Sequence, residues 1–135
     1  MRRLLLPLCV LLLVSGCVRN IGARAEQMAV VNSPNGTIAE IRVREGGEVI
    51  TGELLEVRDD ALVVLNAGRV TVVPFGATQS ATFHDSAVYA SGGAISADEI
   101  SELRLFSRFP RGISPGVMTT LLAAHGQTEP RLIAP

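Results

Sequence analysis

Apolar and polar residues alternate through the middle of the chain. Ile41 and Val43 alternate with Glu40, Arg42 and Arg44, and this period of two is typical of a strand with one buried face. Short turns rich in Gly, Asn and Asp interrupt the pattern, so consecutive strands should pair antiparallel. The pattern predicts strands over 37–44, 48–58, 61–65 and 69–75, with one more within 81–90.

Two features modify this β segment. An apolar run at 28–32 precedes the turn sequence 33–36, which predicts a hairpin with the strand at 37–44. Gly52 lies in the middle of the long second strand, where a glycine usually marks a bend or bulge. A bent second strand would let one sheet close on itself and bury a core in a small domain.

The periodicity changes after residue 95. Ser96-Ala97-Asp98-Glu99 has the spacing of a capping box and predicts a helix over 97–107. The apolar face of that helix would carry Ile100, Leu103 and Phe106. A strand is the alternative, because Leu103, Leu105 and Phe109 also fit a period of two.

A second helix is predicted from Ser114, which would be the N-cap before Pro115 at the first helical position. It would run to His125, with Gly126 as the C-terminal cap. Its apolar stripe would dock on the β domain or on the first helix. The stripe consists of Val117, Met118, Leu121, Leu122 and His125. Residues 127–135 are predicted to be a loose tail.

The N-terminus has the order of a secretory signal peptide: a basic start, an apolar run from Leu4 to Val14, and small residues before a cysteine. Val14-Ser15-Gly16-Cys17 resembles the lipobox of bacterial lipoproteins. The resemblance implies cleavage between Gly16 and Cys17, diacylglycerol on the Cys17 sulfur and acylation of the new N-terminus. Residues 1–16 would then be the signal peptide and 17–27 a lipidated tether. Val18 follows the cysteine, where Asp often retains such proteins at the inner membrane, so the expected location is the outer membrane, facing the periplasm.

Two other interpretations of the N-terminus fit less well. The apolar run of 11 residues is shorter than the roughly 20 that a transmembrane helix requires. In a soluble secreted protein, Cys17 would be an unpaired thiol in an oxidising compartment, because Cys9 leaves with the signal peptide. Lipidation accounts for Cys17.

Composition narrows the chemistry of the mature chain. Its net charge is −3, every basic residue is Arg, and no clustered basic surface is evident, so a nucleic-acid partner is not expected. No cysteine follows Cys17, which excludes disulfides and thiolate metal sites within the domain. Trp is absent and Tyr occurs once, so stacking platforms for sugars or bases are scarce. No cofactor is predicted.

The stretch 50–65 resembles the first motif of Sm-like small barrels, in which a glycine bends the second strand and an acidic turn follows it. Gly52, Leu54 and Asp59 or Asp60 match that motif. The Asn and the Arg-Gly pair with which the family binds RNA have no counterpart, so only the fold is implied. We therefore expect a mainly β domain: a small antiparallel SH3/Sm-like barrel at 28–90, followed by two short helices within 91–126.

Candidate catalytic and metal-binding residues are few. His84-Asp85 is an adjacent pair suited to acid–base or metal chemistry, but the only other histidine is His125, far along the chain. Asp59-Asp60 fits a hairpin turn. No serine has the Gly-x-Ser-x-Gly pattern of a nucleophile elbow. The sequence predicts no catalytic residue, no metal site and no enzyme activity.

Arg104, Arg108 and Arg111 form a candidate cationic patch. On a helix, Arg104 and Arg108 would share one face, with Arg111 just beyond it. Such a patch would contact anionic lipid headgroups or an acidic partner. The alternative is a solvated face balanced by Asp98, Glu99 and Glu102.

These observations predict a lipid-anchored, non-enzymatic structural or protein-interaction module that contacts an envelope protein through barrel edges or the stripe of the second helix. The alternative is a ligand-binding accessory subunit of an envelope enzyme or transport complex. A hydrolase is the least supported class. An exposed apolar groove would favour a protein partner, and a closed pocket with converging polar groups would favour a ligand.

Overall fold

The computed structural model describes residues 35–135, and every structural statement below concerns this part of the chain. The predicted strands and both predicted helices are present, and the strand expected within 81–90 is two separate strands. The strands are β1 (Ile38–Val43), β2 (Val49–Val57), β3 (Ala61–Asn66), β4 (Arg69–Pro74), β5 (Thr78–Phe83), β6 (Tyr89–Ser91) and β7 (Arg131–Leu132). The helices are α1 (Ala97–Phe106) and α2 (Pro115–Ala124), and a 3₁₀ turn occupies Phe75–Ala77. The hairpin partner predicted at 28–32 lies outside the described residues.

The strands form one open sheet in the order β6-β5-β1-β2-β3-β4-β7. All neighbours are antiparallel except β4 and β7, which run parallel. The predicted fold class, mainly β with two following helices, is confirmed. Neither described helix is long and apolar enough to cross a membrane.

The C-terminal tail is ordered against the sheet, so the prediction of a loose tail was wrong. Arg131 and Leu132 pair with Thr71 and Val72 of β4, and Ile133 is buried in the core. The Gln127 side chain adds a second attachment. Its Oε1 accepts from the Val70 amide at 2.7 Å, and its Nε2 donates to the Val70 carbonyl at 3.1 Å. The Gln127 side-chain amide thus bonds to both backbone groups of Val70, as the backbone of a neighbouring strand would.

Two hydrophobic cores lie on opposite faces of β3. Leu62 and Val64 point into the larger core, which side chains from β1, β2, β4 and β5 complete. Ala61 and Val63 point into a smaller core beneath α2 that contains the buried Leu122. Burial on both faces explains why β3 is a continuous apolar run without alternation.

A β-bulge in β2 keeps that strand in register with both cores. Leu54 pairs with Val64 and Glu56 with Val63, so Leu55 is the extra residue. Leu54 enters the larger core and Leu55 the smaller, and the shift returns Val57 to the larger core.

Gly52, the predicted bend, lies two residues before this register shift. Its distinct role is close approach to β3: a Cβ at Gly52 would lie 2.3 Å from the Leu65 carbonyl oxygen. The predicted glycine is therefore required for close strand packing, while the register shift occurs at Leu55.

The capping box of α1 is confirmed, and the alternative strand at 97–107 is not formed. The Glu99 carboxylate accepts from the Ser96 amide at 2.8 Å and from its hydroxyl at 2.7 Å. The Ser96 hydroxyl oxygen accepts in turn from the Glu99 amide at 3.3 Å. These hydrogen bonds lower the pKa of Glu99, the side-chain bond from Ser96 contributing most.

Candidate functional site

Arg104 fastens the end of α1 to the end of β2. Its Nε donates to the Val57 carbonyl at 3.1 Å, and its Nη2 lies 2.7 Å from the Asp59 carboxylate. Asp59 is almost fully exposed, so the ion pair itself adds little stability. The hydrogen bond to the β2 carbonyl gives Arg104 a structural role in positioning α1.

Arg108 does not share a helical face with Arg104, because α1 ends at Phe106 and the chain then turns along β2. Its amide donates to the Leu54 carbonyl at 3.0 Å. Its guanidinium lies 3.5 Å from the Glu53 carboxylate and 5.7 Å from the centroid of the Phe109 ring. The segment after α1 bonds to β2 instead: the Phe109 amide donates to the Leu55 carbonyl at 2.9 Å, next to the Arg108 bond.

The three predicted arginines are divided between two depressions in the surface. Arg104 and Arg111 line one of about 430 Å³, together with Glu56, Arg58 and Asp59. Arg108 lines another. The carboxylates beside Arg104 and Arg108 come from the β2–β3 region, and the predicted partners Asp98, Glu99 and Glu102 are not among them. As a binding surface, this patch remains a prediction.

Two carboxylates of β2 hold neighbouring chain segments in place. Glu53 Oε1 accepts from the Gly36 amide at 2.8 Å, and Glu56 Oε1 accepts from the Ile113 amide at 3.1 Å. The other oxygen of Glu56 pairs with Arg58 Nε at 3.0 Å, and only 12% of the Glu56 side chain is exposed. Strand alternation alone would have placed Glu56 on the side of the larger core, and the bulge moves it to the side of Val63 and the smaller core.

The histidines occupy separate parts of the fold. His84 follows β5, where the neighbouring Asp85 amide donates to the Thr37 hydroxyl at 3.2 Å. His125 is the C-terminal cap of α2. Within residues 35–135, no three His, Cys, Asp or Glu side chains are grouped so that they could hold a metal ion.

His125 instead lines an open depression of about 610 Å³ at the end of α2, which also contains Arg69 and Arg131. Arg131 pairs with Glu48 at 3.1 Å. The depression therefore combines two guanidinium groups and an imidazole, which can hydrogen-bond an anion, with the Glu129 carboxylate, which would repel one.

The predicted stripe of α2 is divided between core and surface. Leu122 is buried in the smaller core, and Met118 and Leu121 pack against it, but 42% of Val117 is exposed. No residue of Pro115–Ala124 is charged. The exposed side of α2 borders a groove of about 360 Å³, which we call the α2 groove. It is lined by Arg108, Phe109, Gly116, Val117, Thr120, Leu121 and Ala124.

The predicted lipidation site at Cys17 and the cleavage site at Gly16 lie outside the described residues. Comparison with known proteins finds no matching family model, no similar curated protein and no similar solved structure.

Proposed function

We propose that this protein is a bacterial envelope lipoprotein, anchored through acylated Cys17 and facing the periplasm from the outer membrane, where it acts as a non-enzymatic structural or protein-interaction module. The observation that carries the proposal is the sequence Val14-Ser15-Gly16-Cys17 after a basic start and a short apolar run. Several acyl chains on one residue give stable anchoring, where a single chain would be marginal.

The anchor is tested by replacing each of the two cysteines separately. Cys17→Ala should abolish incorporation of labelled palmitate and prevent cleavage between Gly16 and Cys17. It should also reduce the share of the protein that is anchored in the membrane fraction by lipid. Cys9→Ala is the matched control, because Cys9 lies in the apolar run and should not be acylated. Equal palmitate labelling of the wild type and Cys17→Ala would refute the proposal.

We also infer that β1–β5 form a small barrel of the SH3/Sm-like type. The order β5-β1-β2-β3-β4 supports this, because the fifth strand returns beside the first. Val73 of β4 and Phe83 of β5 belong to the same core although three strands separate them, which requires a strongly curved sheet. Nuclear Overhauser effects between the side chains packed around Val73 and those packed around Phe83 would test this inference. Their absence would favour a flatter sheet.

The partner surface that we propose lies at the two edges of the sheet. Tyr89 on β6 and Leu132 on β7 are 56% and 67% exposed, and unpaired edges of a sheet readily bind other chains. A photoreactive amino acid in place of Tyr89 should crosslink in cells to a specific envelope protein. The same group at Val49, which is 43% exposed on the inner strand β2, is the control. Identical crosslinking from both positions would contradict recognition by the edge.

The alternative function, a ligand-binding accessory subunit, is favoured by the depression that contains Arg69, His125 and Arg131. The Arg69 and Arg131 guanidinium groups can bind a carboxylate or phosphate ligand, although Glu129 lines the same depression. Titration with such anions, followed by NMR shifts of the His125 ring, tests it. Saturable shifts that Arg69→Gln weakens would support the alternative, and unchanged spectra would refute it.

A further inference from the structure

We propose that the exposed side of α2 docks on the anionic bilayer surface to which the chain is tethered. This inference rests on the proposed lipidation of Cys17 and adds an orientation of the domain relative to the membrane. The face that docks is the α2 groove together with the outward residues of the helix.

The first observation is the charge distribution around this face. No acidic residue occurs between Glu102 and Glu129, whereas this stretch contains Arg104, Arg108 and Arg111. The mature chain otherwise carries an excess of acidic groups. Arg104 and Arg108 pair with carboxylates from the β2–β3 region, yet both are still more than a third exposed. Of these three arginines, Arg108 lines the α2 groove, while Arg104 and Arg111 line the depression beside Glu56 and Asp59. The face therefore combines an uncharged helix with one guanidinium at its border, which suits anionic headgroups around an apolar interior.

The second observation is the position at which the described part of the chain begins. A Cβ on Gly36 would lie 2.9 Å from the Arg108 amide nitrogen, and the Thr37 amide donates to the Phe106 carbonyl at 2.8 Å. Arg108 and Phe109 form one wall of the α2 groove. The described chain therefore begins beside this groove, and the residues that precede it in the sequence lead back to Cys17.

The third argument concerns how strong the docking must be. The residues between Cys17 and Gly36 could reach about 60 Å if fully extended, so this segment alone does not fix the domain against the bilayer. Tethering nevertheless gives an effective concentration on the order of millimolar. A face with a Kd of about 1 mM for the bilayer would thus be docked about half of the time, and a small apolar surface is sufficient.

The test uses the full lipidated protein reconstituted into vesicles of phosphatidylethanolamine and phosphatidylglycerol. Cys17 is acylated, so Thr120→Cys provides a single thiol in the α2 groove for a nitroxide label. Thr82→Cys is the matched control, because Thr82 is an exposed residue of β5. We expect the label at position 120 to be at least threefold less accessible to a water-soluble nickel chelate than the label at position 82.

A second pair of variants tests the apolar contact itself. Val117 and Val49 are 42% and 43% exposed, so an aspartate at either position should leave the fold intact. Val117→Asp should restore nickel accessibility at position 120 to within twofold of the control, and Val49→Asp should not. Equal effects of the two substitutions would overturn the proposal.

The remaining outcomes separate failure of docking from failure of the anchor. If the protein is acylated and floats with the vesicles but position 120 is as accessible as position 82, docking is overturned and the anchor stands. If the protein is neither acylated nor vesicle-bound, the proposed lipoprotein function fails and docking fails with it. Protection that grows with the protein-to-lipid ratio would assign the face to a second copy of the chain and overturn docking on lipid.

Discussion

Replacing Gly52 with alanine should destabilise the domain strongly, although glycine is usually a poor choice within a strand. The added Cβ would lie 2.3 Å from the Leu65 carbonyl oxygen, 2.8 Å from its carbonyl carbon and 3.1 Å from the Asn66 Cα. Carbon–oxygen contacts ordinarily begin near 3.3 Å, so the strands must separate by about 1 Å. All three atoms belong to the backbone of β3, which is paired on both sides and cannot yield as a side chain would.

The size of the effect follows from this geometry. Overpacking of this kind costs typically 1–3 kcal/mol, and we expect a value near 2–3 kcal/mol, because relief must move a central strand. For a domain of this size, each kcal/mol lowers Tm by roughly 4–8 °C. Thermal melting followed by circular dichroism should therefore show a fall of about 10 °C or more.

The matched control is Gly116→Ala in α2. A Cβ there meets nothing within 4 Å, and alanine is the better helix former, so stability should rise by up to about 1 kcal/mol. If Gly52→Ala melted within about 2 °C of the wild type, close approach of β2 and β3 would not constrain this position, and the explanation of Gly52 would be wrong.

Three further substitutions test individual contacts of the fold. Because the pKa of Glu99 is lowered in the folded state, its contribution is present above the ordinary value of 4.5 and is lost as the pH falls through the folded pKa. The stability difference between Glu99→Gln and wild type, measured by urea unfolding, should therefore shrink below about pH 4.5, and a constant difference would exclude this cause. Gln127→Ala should lower the free energy of unfolding by about 1–3 kcal/mol, because it removes the hydrogen-bond partners of the Val70 amide and the Val70 carbonyl. Faster hydrogen exchange at the Val70 amide should accompany this loss of stability. Glu56→Ala should cost a similar amount and Glu56→Gln less, since Gln can still accept from the Ile113 amide; equal losses in urea unfolding would contradict this hydrogen bond.

Local patterns in the sequence predicted the regular elements, because each carries its own signal. The alternation in β1, the short turns and the capping box at Ser96 are determined by neighbouring residues, and the structure contains them as expected. The continuous apolar run of β3 predicted a strand but gave no indication of which element covers its second face.

Features that depend on distant residues were missed. Nothing near Gln127 shows that its amide bonds to Val70, 57 positions earlier, so the tail seemed loose. The helical spacing of Arg104 and Arg108 predicted a shared face, but α1 ends between them, and the residues after the helix bond to the Leu54 and Leu55 carbonyls of β2, about 50 positions earlier. The sequence could have warned of the bulge only through Leu54-Leu55, two adjacent apolar residues in an otherwise alternating strand.

The middle of β2 connects the fold to the proposed function. Pairing of β2 with β1 ends at Glu53, and just beyond it the Leu54 and Leu55 carbonyls accept from the Arg108 and Phe109 amides at 3.0 and 2.9 Å. These bonds carry the chain across β2, so that α2 covers the outer face of β3 and β4 with Leu122. A helix held in this way uses only one side for packing, which leaves its uncharged outer side exposed beside Arg108 and Phe109. The surface proposed to meet the bilayer is therefore a consequence of how the second core is closed.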